Sequence, residues 1–283
     1  RAPRDPHVMA EQYREWIDPQ VIRAEHLPIS LSNIVMVSHD RDLLRSIGRM
    51  GSLLLTGGDQ RRLTEALLHC AEATPVLHHV VSAYERGTPV IAVAAAAAAL
   101  GARMIAEGDS VAALRYGSSE DASGSGAIVE RGIGLTRLGL IDQHFVRRHR
   151  LGRLLMACAE QRERFGFGLC EGSGIIVHGG DREIEAIGGG GVVIGELDPD
   201  RVRLAPGVPD PTGIRLYILE PGRRIGLEEL PAETSGRSVV ATGLLESALA
   251  DLQRDYIAAL GKDAARFDDT RWQETLRPGP SLH

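Results

Sequence analysis

Two stretches of the chain carry residue types that do acid–base chemistry. The segment Ile141 to Leu155 holds Asp142, Gln143, His144, Arg147, Arg148, His149, Arg150 and Arg153. A histidine supplies a base near neutral pH, and an arginine fork takes a carboxylate through two parallel hydrogen bonds. The run Asp142–Arg164 reads as a long helix opening at Asp142 and stopping at Phe165-Gly166. Arg147, Arg150 and Arg153 would then fall on adjoining turns, as would His144 and Arg148. The plainer alternative is a solvated basic face behind a helix cap at Asp142. Glu171 follows a short strand, Gly166–Cys170, and precedes Gly172-Ser173-Gly174. A carboxylate there could orient a histidine, or be an ordinary turn residue.

The junction Val90–Leu100 has the shape of a nucleophile elbow, a strand running straight into a helix among small residues. Ala92, Ala95, Ala96 and Ala97 are the small neighbours. At the tip stands Ala94, and a methyl group has no hydroxyl to activate. The bland reading is an Ala-rich helix packed tightly on a sheet. The cysteines Cys70, Cys158 and Cys170 are too scattered for a disulfide framework or a zinc site, and a reducing compartment follows. Gly188-Gly189-Gly190-Gly191 reads as a β-turn, because no helix N-terminus follows it to bind an anion.

These groups need a scaffold, and the hydrophobic pattern supplies one. Asn33–Ser38 reads as a short β-rich run, Asp40–Met50 as a helix and Ser52–Thr56 as a buried strand ending at Gly57-Gly58-Asp59. Gln60–Cys70 and Thr74–Arg86 read as helices, Pro89–Val93 as a buried strand and Ala94–Ile105 as a helix. That βαβα order predicts an α/β protein, a mostly parallel sheet with helices on both faces. Residues 117–126 read as a loop, as does Asp198–Pro211. Gly174–His178, Glu183–Ile187, Val192–Leu197 and Ile214–Glu220 read as an antiparallel edge. Ser247–Leu260 is amphipathic through Leu249, Leu252, Tyr256 and Leu260, and predicts a helix packed on the body.

Composition bounds the rest. The 283 residues are 43% hydrophobic and 25% charged, with 33 glycines and a formal net charge of −6. These are globular values, and the acidic balance argues against a nucleic-acid binder. No stretch is apolar enough over ~20 residues to span a membrane. No metal, nucleotide or other cofactor site is supported. A cytoplasmic location is expected, although the chain starts at Arg1.

The motifs together resemble the cyanophycinase family, serine hydrolases related to peptidase E. Thr56-Gly57-Gly58-Asp59-Gln60-Arg61-Arg62-Leu63 is similar to a TGGDQxRL turn. Asp142-Gln143-His144-Phe145, with Arg148, Arg150, Gly152, Arg153 and Leu154, is similar to DQHFxxRxRxGRL. Gly168-Leu169-Cys170-Glu171 is similar to GIDE. The likeness runs from about Asn33 to Leu227. The strand and Gly-rich turn with which family members begin are not found ahead of it.

The resemblance implies a flavodoxin-like, class I glutamine amidotransferase-like three-layer sandwich, placed over residues 1–230; residues 231–283 lie outside the likeness and read as a helical extension packed on the same body. It implies a serine–histidine–glutamate mechanism on β-aspartyl-arginine isopeptide bonds, with His144 as base and Glu171 as its orienting acid. The nucleophile position falls on Ala94, and the elbow glycines are replaced by Ala92 and Ala96. Cys170 stands where the family has Asp. Substrate-binding positions fall on Gly58, Asp59, Gln60, Asp142, Gln143, Arg148, Arg150 and Arg153. The implied partner is a peptide or amino-acid-derived molecule carrying carboxylate and guanidinium groups, in a homodimer or in a heteromer with an active paralogue. Three readings stay open. The chain could be a hydrolase that has lost its nucleophile by drift or engineering. It could be a lyase, hydratase or isomerase using His144 as general base. It could be a non-catalytic partner or sensor.

Overall fold

The computed structural model describes residues 6–17, 23–121, 123–208, 210–230, 239–261 and 272. By compactness the chain divides into two units, Arg1–Leu100 with Arg131–Leu135, and Gly101–Glu130 with Thr136–His283. The architecture is mixed α/β, as the alternating pattern predicts.

In the first unit two short parallel strands, Leu53–Leu55 and Val90–Ala92, pair in the register Leu53↔Val90 to Leu55↔Ala92. Ile34, Ile47, Leu53, Leu67, Val76, Leu77, Val80 and Ala83 build the core, with Ile133 and Leu135. Helix Arg41–Ile47 begins where the Asp40 carboxylate accepts from the amides of Asp42 and Leu43. Helix Pro75–Glu85 begins with Thr74 as cap and Pro75 in its first turn. The strand Val90–Ala92 is less buried than the sequence predicts, with Ile91 52% exposed.

Two readings in this half are corrected. Asn33–Ser38 is one helical turn, Ile34–Val37, and not a strand. The Asn33 side chain accepts from the Ser30 amide at 2.9 Å and donates to the Pro28 carbonyl at 2.7 Å. That local bonding fixes a turn, and the run buries Ile34 while leaving Val35 and Met36 exposed. The helix expected over Ala94–Ile105 is only Ala95–Ala99, and Arg103–Glu107 is a strand. The Ala99 and Leu100 carbonyls, which a longer helix would use itself, accept from the amides of Ile133 at 2.8 Å and Leu135 at 2.9 Å.

In the second unit four strands lie in the order Ile214–Leu219, Val192–Leu197, Phe165–Leu169, Leu140–Gln143. The last two are parallel and the other pairings antiparallel, so two of the four runs expected as an antiparallel edge, Val192–Leu197 and Ile214–Leu219, form it, and the other two lie in a separate sheet. Leu140–Gln143, Phe165–Leu169 and Val192–Leu197 are buried along their whole length; the second and third are nearly continuous apolar runs, whereas the first buries Asp142 and Gln143. Ser173–His178, Glu183–Gly188 and Arg224–Gly226 form an antiparallel sheet. Arg103–Glu107, Ala127–Arg131 and Ser118–Ser119 form a fourth sheet.

Helix Val239–Leu260 turns Ala248, Leu252, Tyr256 and Ala259 into the core, with Leu249 and Leu260 packed at its margin. No helix of the described residues is long and apolar enough to cross a membrane. The proline-rich end, Arg277–Pro280, lies outside the described residues.

The helix expected over Asp142–Arg164 is the largest correction. Leu140–Gln143 is a strand, Val146–Arg148 a 3₁₀ turn, and the α-helix is Leu151–Gln161. Asp142 pairs with Gly168 in the sheet and is no helix cap. The chain leaves the strand through left-handed residues at His144 (φ 53°) and His149 (φ 52°), a path that side-chain periodicity does not encode.

Candidate active site

The strand Leu140–Gln143 ends at His144, and its parallel neighbour Phe165–Leu169 runs through Cys170 to Glu171. Both groups therefore sit at the carboxyl ends of adjacent parallel strands, the usual place for a site in an α/β sheet. His144 Nδ1 lies 3.1 Å from Glu171 Oε1, with the two side chains 41% and 36% exposed. With its proton on Nδ1, His144 donates to the carboxylate and keeps the Nε2 lone pair free. That is the arrangement of a general base with an orienting acid.

The segment that carries His144 is fixed from below. Asp142 is 1% exposed, and its Oδ1 accepts from Arg150 Nη1 at 2.8 Å and Arg153 Nη2 at 2.6 Å. Its Oδ2 accepts from Arg153 Nε at 2.7 Å. Arg150 also donates to the Gln143 carbonyl at 2.6 Å, and Arg153 to the Gly108 carbonyl at 2.6 Å. Burial pulls the Arg150 pKa below its ordinary value, against the opposing pull of Asp142. The forks of Arg150 and Arg153 are thus spent on a carboxylate of the chain itself, and Asp142 meets those two guanidiniums. Arg148 stays exposed beside the turn. Gln143 is buried, and its Oε1 has no hydrogen-bond partner among the described residues.

Two glycine contacts hold the segments of His144 and Glu171, and neither is apparent from the sequence alone. Phe145 is fully buried, and a Cβ at Gly168 would lie 2.3 Å from its ring. Gly168 thus leaves the space that seats Phe145, the residue after His144, and the Phe145 amide donates to the Leu169 carbonyl at 3.1 Å. The tetraglycine run forms the expected connection between strands and does more. A Cβ at Gly190 would lie 2.3 Å from the Glu171 carbonyl oxygen, and the Gly189 amide donates to Gly172 at 2.9 Å. The available signal was glycine inside a strand and glycine in series, each a mark of close backbone approach.

The first unit holds the other candidate residues. Ala94 has φ 55° and ψ −118° and precedes helix Ala95–Ala99 with no side-chain cap. Those angles are those of the first central residue of a type II′ turn, a conformation that favours glycine. The turn is closed by the Ala96 amide on the Val93 carbonyl at 3.2 Å, and the Val93 amide donates to Leu55 at 3.1 Å. Ala94 is exposed. Leu55 leads into Gly57-Gly58-Asp59-Gln60, so this turn starts at the strand end next to Ala94. Asp59 caps helix Gln60–Leu67 by accepting from the Arg61 amide at 2.9 Å. Gly58 has open space where a Cβ would stand, and Gln60 opens the helix.

Over 198 residues the chain is 33% identical to a cyanophycinase of Trichormus variabilis, across 66% of this chain and 61% of that protein. Over 229 residues it is 29% identical to a cyanophycinase of Synechococcus elongatus, across 78% of this chain and 66% of that protein. Along most of its length the chain is similar to the cyanophycinases. It spans about two thirds or less of the length of these relatives. A crystal structure of a peptidase from an acI-B1 Actinobacterium matches with a TM-score of 0.51 over 79% of each chain, at 13% identity, a likeness of fold. No family model matches the chain.

The two buried thiols of this cyanophycinase-like chain, Cys158 and Cys170, are weak candidates for a nucleophile. Burial pushes the Cys170 thiol up to about 11, with Glu171 adding to the rise and a Val146 backbone hydrogen bond opposing it. Burial also pushes the fully buried Cys158 thiol well up. Neither is a thiolate near neutral pH, and the thiolate is the nucleophilic form. No group of three or more metal-binding side chains occurs among the described residues.

Proposed function

We propose that this chain is a cyanophycinase-type hydrolase for β-aspartyl-arginine bonds whose nucleophile position is filled by Ala94. As it stands it is inactive or impaired as a peptidase. The observation that carries the reading is the His144–Glu171 pair, 3.1 Å apart, retained while the left-handed turn at Ala94 bears only a methyl group. In a chain with serine at 94, the serine oxygen attacks the carbonyl carbon. His144 Nε2 takes its proton and returns it to the leaving amine, and water then releases the acyl group.

The substrate roles divide accordingly. Arg148, exposed, is the cation for a substrate carboxylate. Asp142, Arg150 and Arg153 position the Gln143–His144 corner. Gln143 Oε1, buried without a partner, accepts from a substrate N–H. Gly58, Asp59 and Gln60 belong to the substrate-facing turn of the first unit. A second reading is favoured by the same intact pair. His144 would serve as general base for an elimination, hydration or isomerisation of an Asp- or Arg-derived acid.

The test is Ala94→Ser, assayed beside the given chain on cyanophycin and on a β-aspartyl-arginine dipeptide. The hydrolase reading expects the serine variant to cleave, and expects that activity to vanish with His144→Ala. If neither chain cleaves, the hydrolase reading is overturned and the general-base reading takes its place.

A further inference from the structure

Helix Val239–Leu260 carries two carboxylates on its buried face. Asp251 and Asp255 lie one turn apart beside Ala248, Leu252, Tyr256 and Ala259, and all six are buried. Packing alone would be served better by apolar residues, since a buried charge is costly unless paired. Like charges four residues apart on a helix also repel. The helical periodicity that marks the apolar positions gives no hint of these acids.

Their partner is the turn that carries His144. Asp251 Oδ2 lies 2.5 Å from His149 Nδ1, and Arg254 donates to Asp251 Oδ1. Asp255 faces His149, Asp251, Arg254 and Ser110. His149 occupies the left-handed corner of the turn at φ 52°, and its amide donates to Val146 at 2.9 Å. The same turn closes through the Arg148 amide on the His144 carbonyl and the Arg150 amide on the Phe145 carbonyl, each at 3.1 Å. Ser110 Oγ donates to the His149 carbonyl at 2.5 Å and accepts from the Arg153 amide at 3.2 Å. His149 is thus held by its ring and by its backbone, on two different elements.

We propose that Asp251 is a positioning residue for His144: through the His149 ring, the C-terminal helix sets the turn 144–150 and with it the direction of the base. The inference rests on the reading that His144 is the working base. The helix is a latch on the site, and a change in its seating is transmitted along five residues of closed turn.

The test uses the full chain and has two arms. In the first, backbone hydrogen exchange is measured over 144–150 and, as a control, over the core strand Ile214–Leu219, in the given chain, Asp251→Asn, Asp251→Glu and His149→Gly. His149→Gly removes the ring and suits the left-handed backbone, and it also frees the backbone there, which Asp251→Asn does not. The latch expects about tenfold faster exchange over 144–150 in Asp251→Asn and His149→Gly, an unchanged control strand, and partial rescue by Asp251→Glu. Unchanged exchange in either variant overturns it. So does an equal rise in the control strand, which would make the pair merely structural.

In the second arm the Asp251→Asn change is placed in the Ala94→Ser chain. There kcat should fall about tenfold with little change in KM. An unchanged kcat overturns the positioning role. If Ala94→Ser itself does not cleave, the functional reading fails, and the exchange arm still decides the latch.

Discussion

Replacing Asp142 by asparagine separates a structural role for this residue from a ligand-binding one. The carboxylate accepts three arginine N–H groups, from Arg150 Nη1 at 2.8 Å, Arg153 Nη2 at 2.6 Å and Arg153 Nε at 2.7 Å. An asparagine offers one oxygen and one NH₂. Whichever way it turns, at least one arginine N–H then faces another donor. The two arginine side chains, 11% and 5% exposed, also lose their shared anion. Breaking a buried pair from one side costs about 3–5 kcal/mol, against a total stability of about 5–15 kcal/mol for a domain. Asp142→Asn should therefore destabilise the second unit by about 3 kcal/mol or more. The assay is urea unfolding followed by Trp272 fluorescence in a Trp16→Phe background. Trp272 is buried in the core of that unit, so the two units need not unfold together for the reading to be clean. A loss below about 1 kcal/mol, with weakened binding of a guanidinium ligand, would refute the reasoning. Asp142 would then be a ligand group and not an internal brace.

Gly168→Ala should cost about 1–3 kcal/mol or more, because its Cβ would stand 2.3 Å from the buried Phe145 ring. The urea midpoint should fall, and the His144 ring resonances should shift with it. Ala94→Gly should raise stability by about 1 kcal/mol, since it relieves φ 55°; an unchanged or lower Tm would deny the strain. Burial holds the Asp255 carboxyl up at about 6 against an ordinary 3.8, with Asp251 adding and His149, Arg254 and Ser110 opposing. The folded chain then binds this proton more tightly than the unfolded chain. Asp255 thus contributes stability below about pH 4 and loses it as pH rises through about 6. Asp255→Asn should flatten that slope in unfolding measured from pH 4 to 7.5. Its gain at pH 7.5 should be no more than about 3 kcal/mol.

What the sequence conveys and what it hides follow from the range of the forces involved. The alternating strands and helices were legible because each depends on local periodicity, as in Leu53–Leu55, Pro75–Glu85 and Val192–Leu197. The site motifs were legible as types and spacing. Their conformation was not, because Asp142–Arg153 is shaped by partners far along the chain. Asp142 reads as a cap until Gly168 pairs with its strand. His144 and His149 take left-handed backbones that no local pattern demands. Asn33 overrode a β-rich run with bonds to Ser30 and Pro28. The burial of Asp251 and Asp255 has no signal in the helical periodicity, and the His149 turn accounts for it.

The elbow and the base differ in what holds them, and that difference makes the serine test sharp. His144 depends on side chains: Glu171 on its ring, Phe145 against Gly168, Arg150 on the Gln143 carbonyl. The turn at Ala94 depends on backbone groups, the Val93 amide on Leu55, the Ala96 amide on Val93 and the Ala97 amide on Ala94. No side-chain atom of residue 94 takes part in these bonds, so the strain at φ 55°, of about 1–3 kcal/mol, is borne by the chain path and persists without a nucleophile. Adding a hydroxyl at 94 asks nothing new of that path, and Ala94 is exposed enough to receive it. If Ala94→Ser folds with an unchanged Tm and still fails to cleave, the cause cannot be a collapsed elbow. The hydrolase reading is then overturned, and the His144–Glu171 pair is left to the general-base reading.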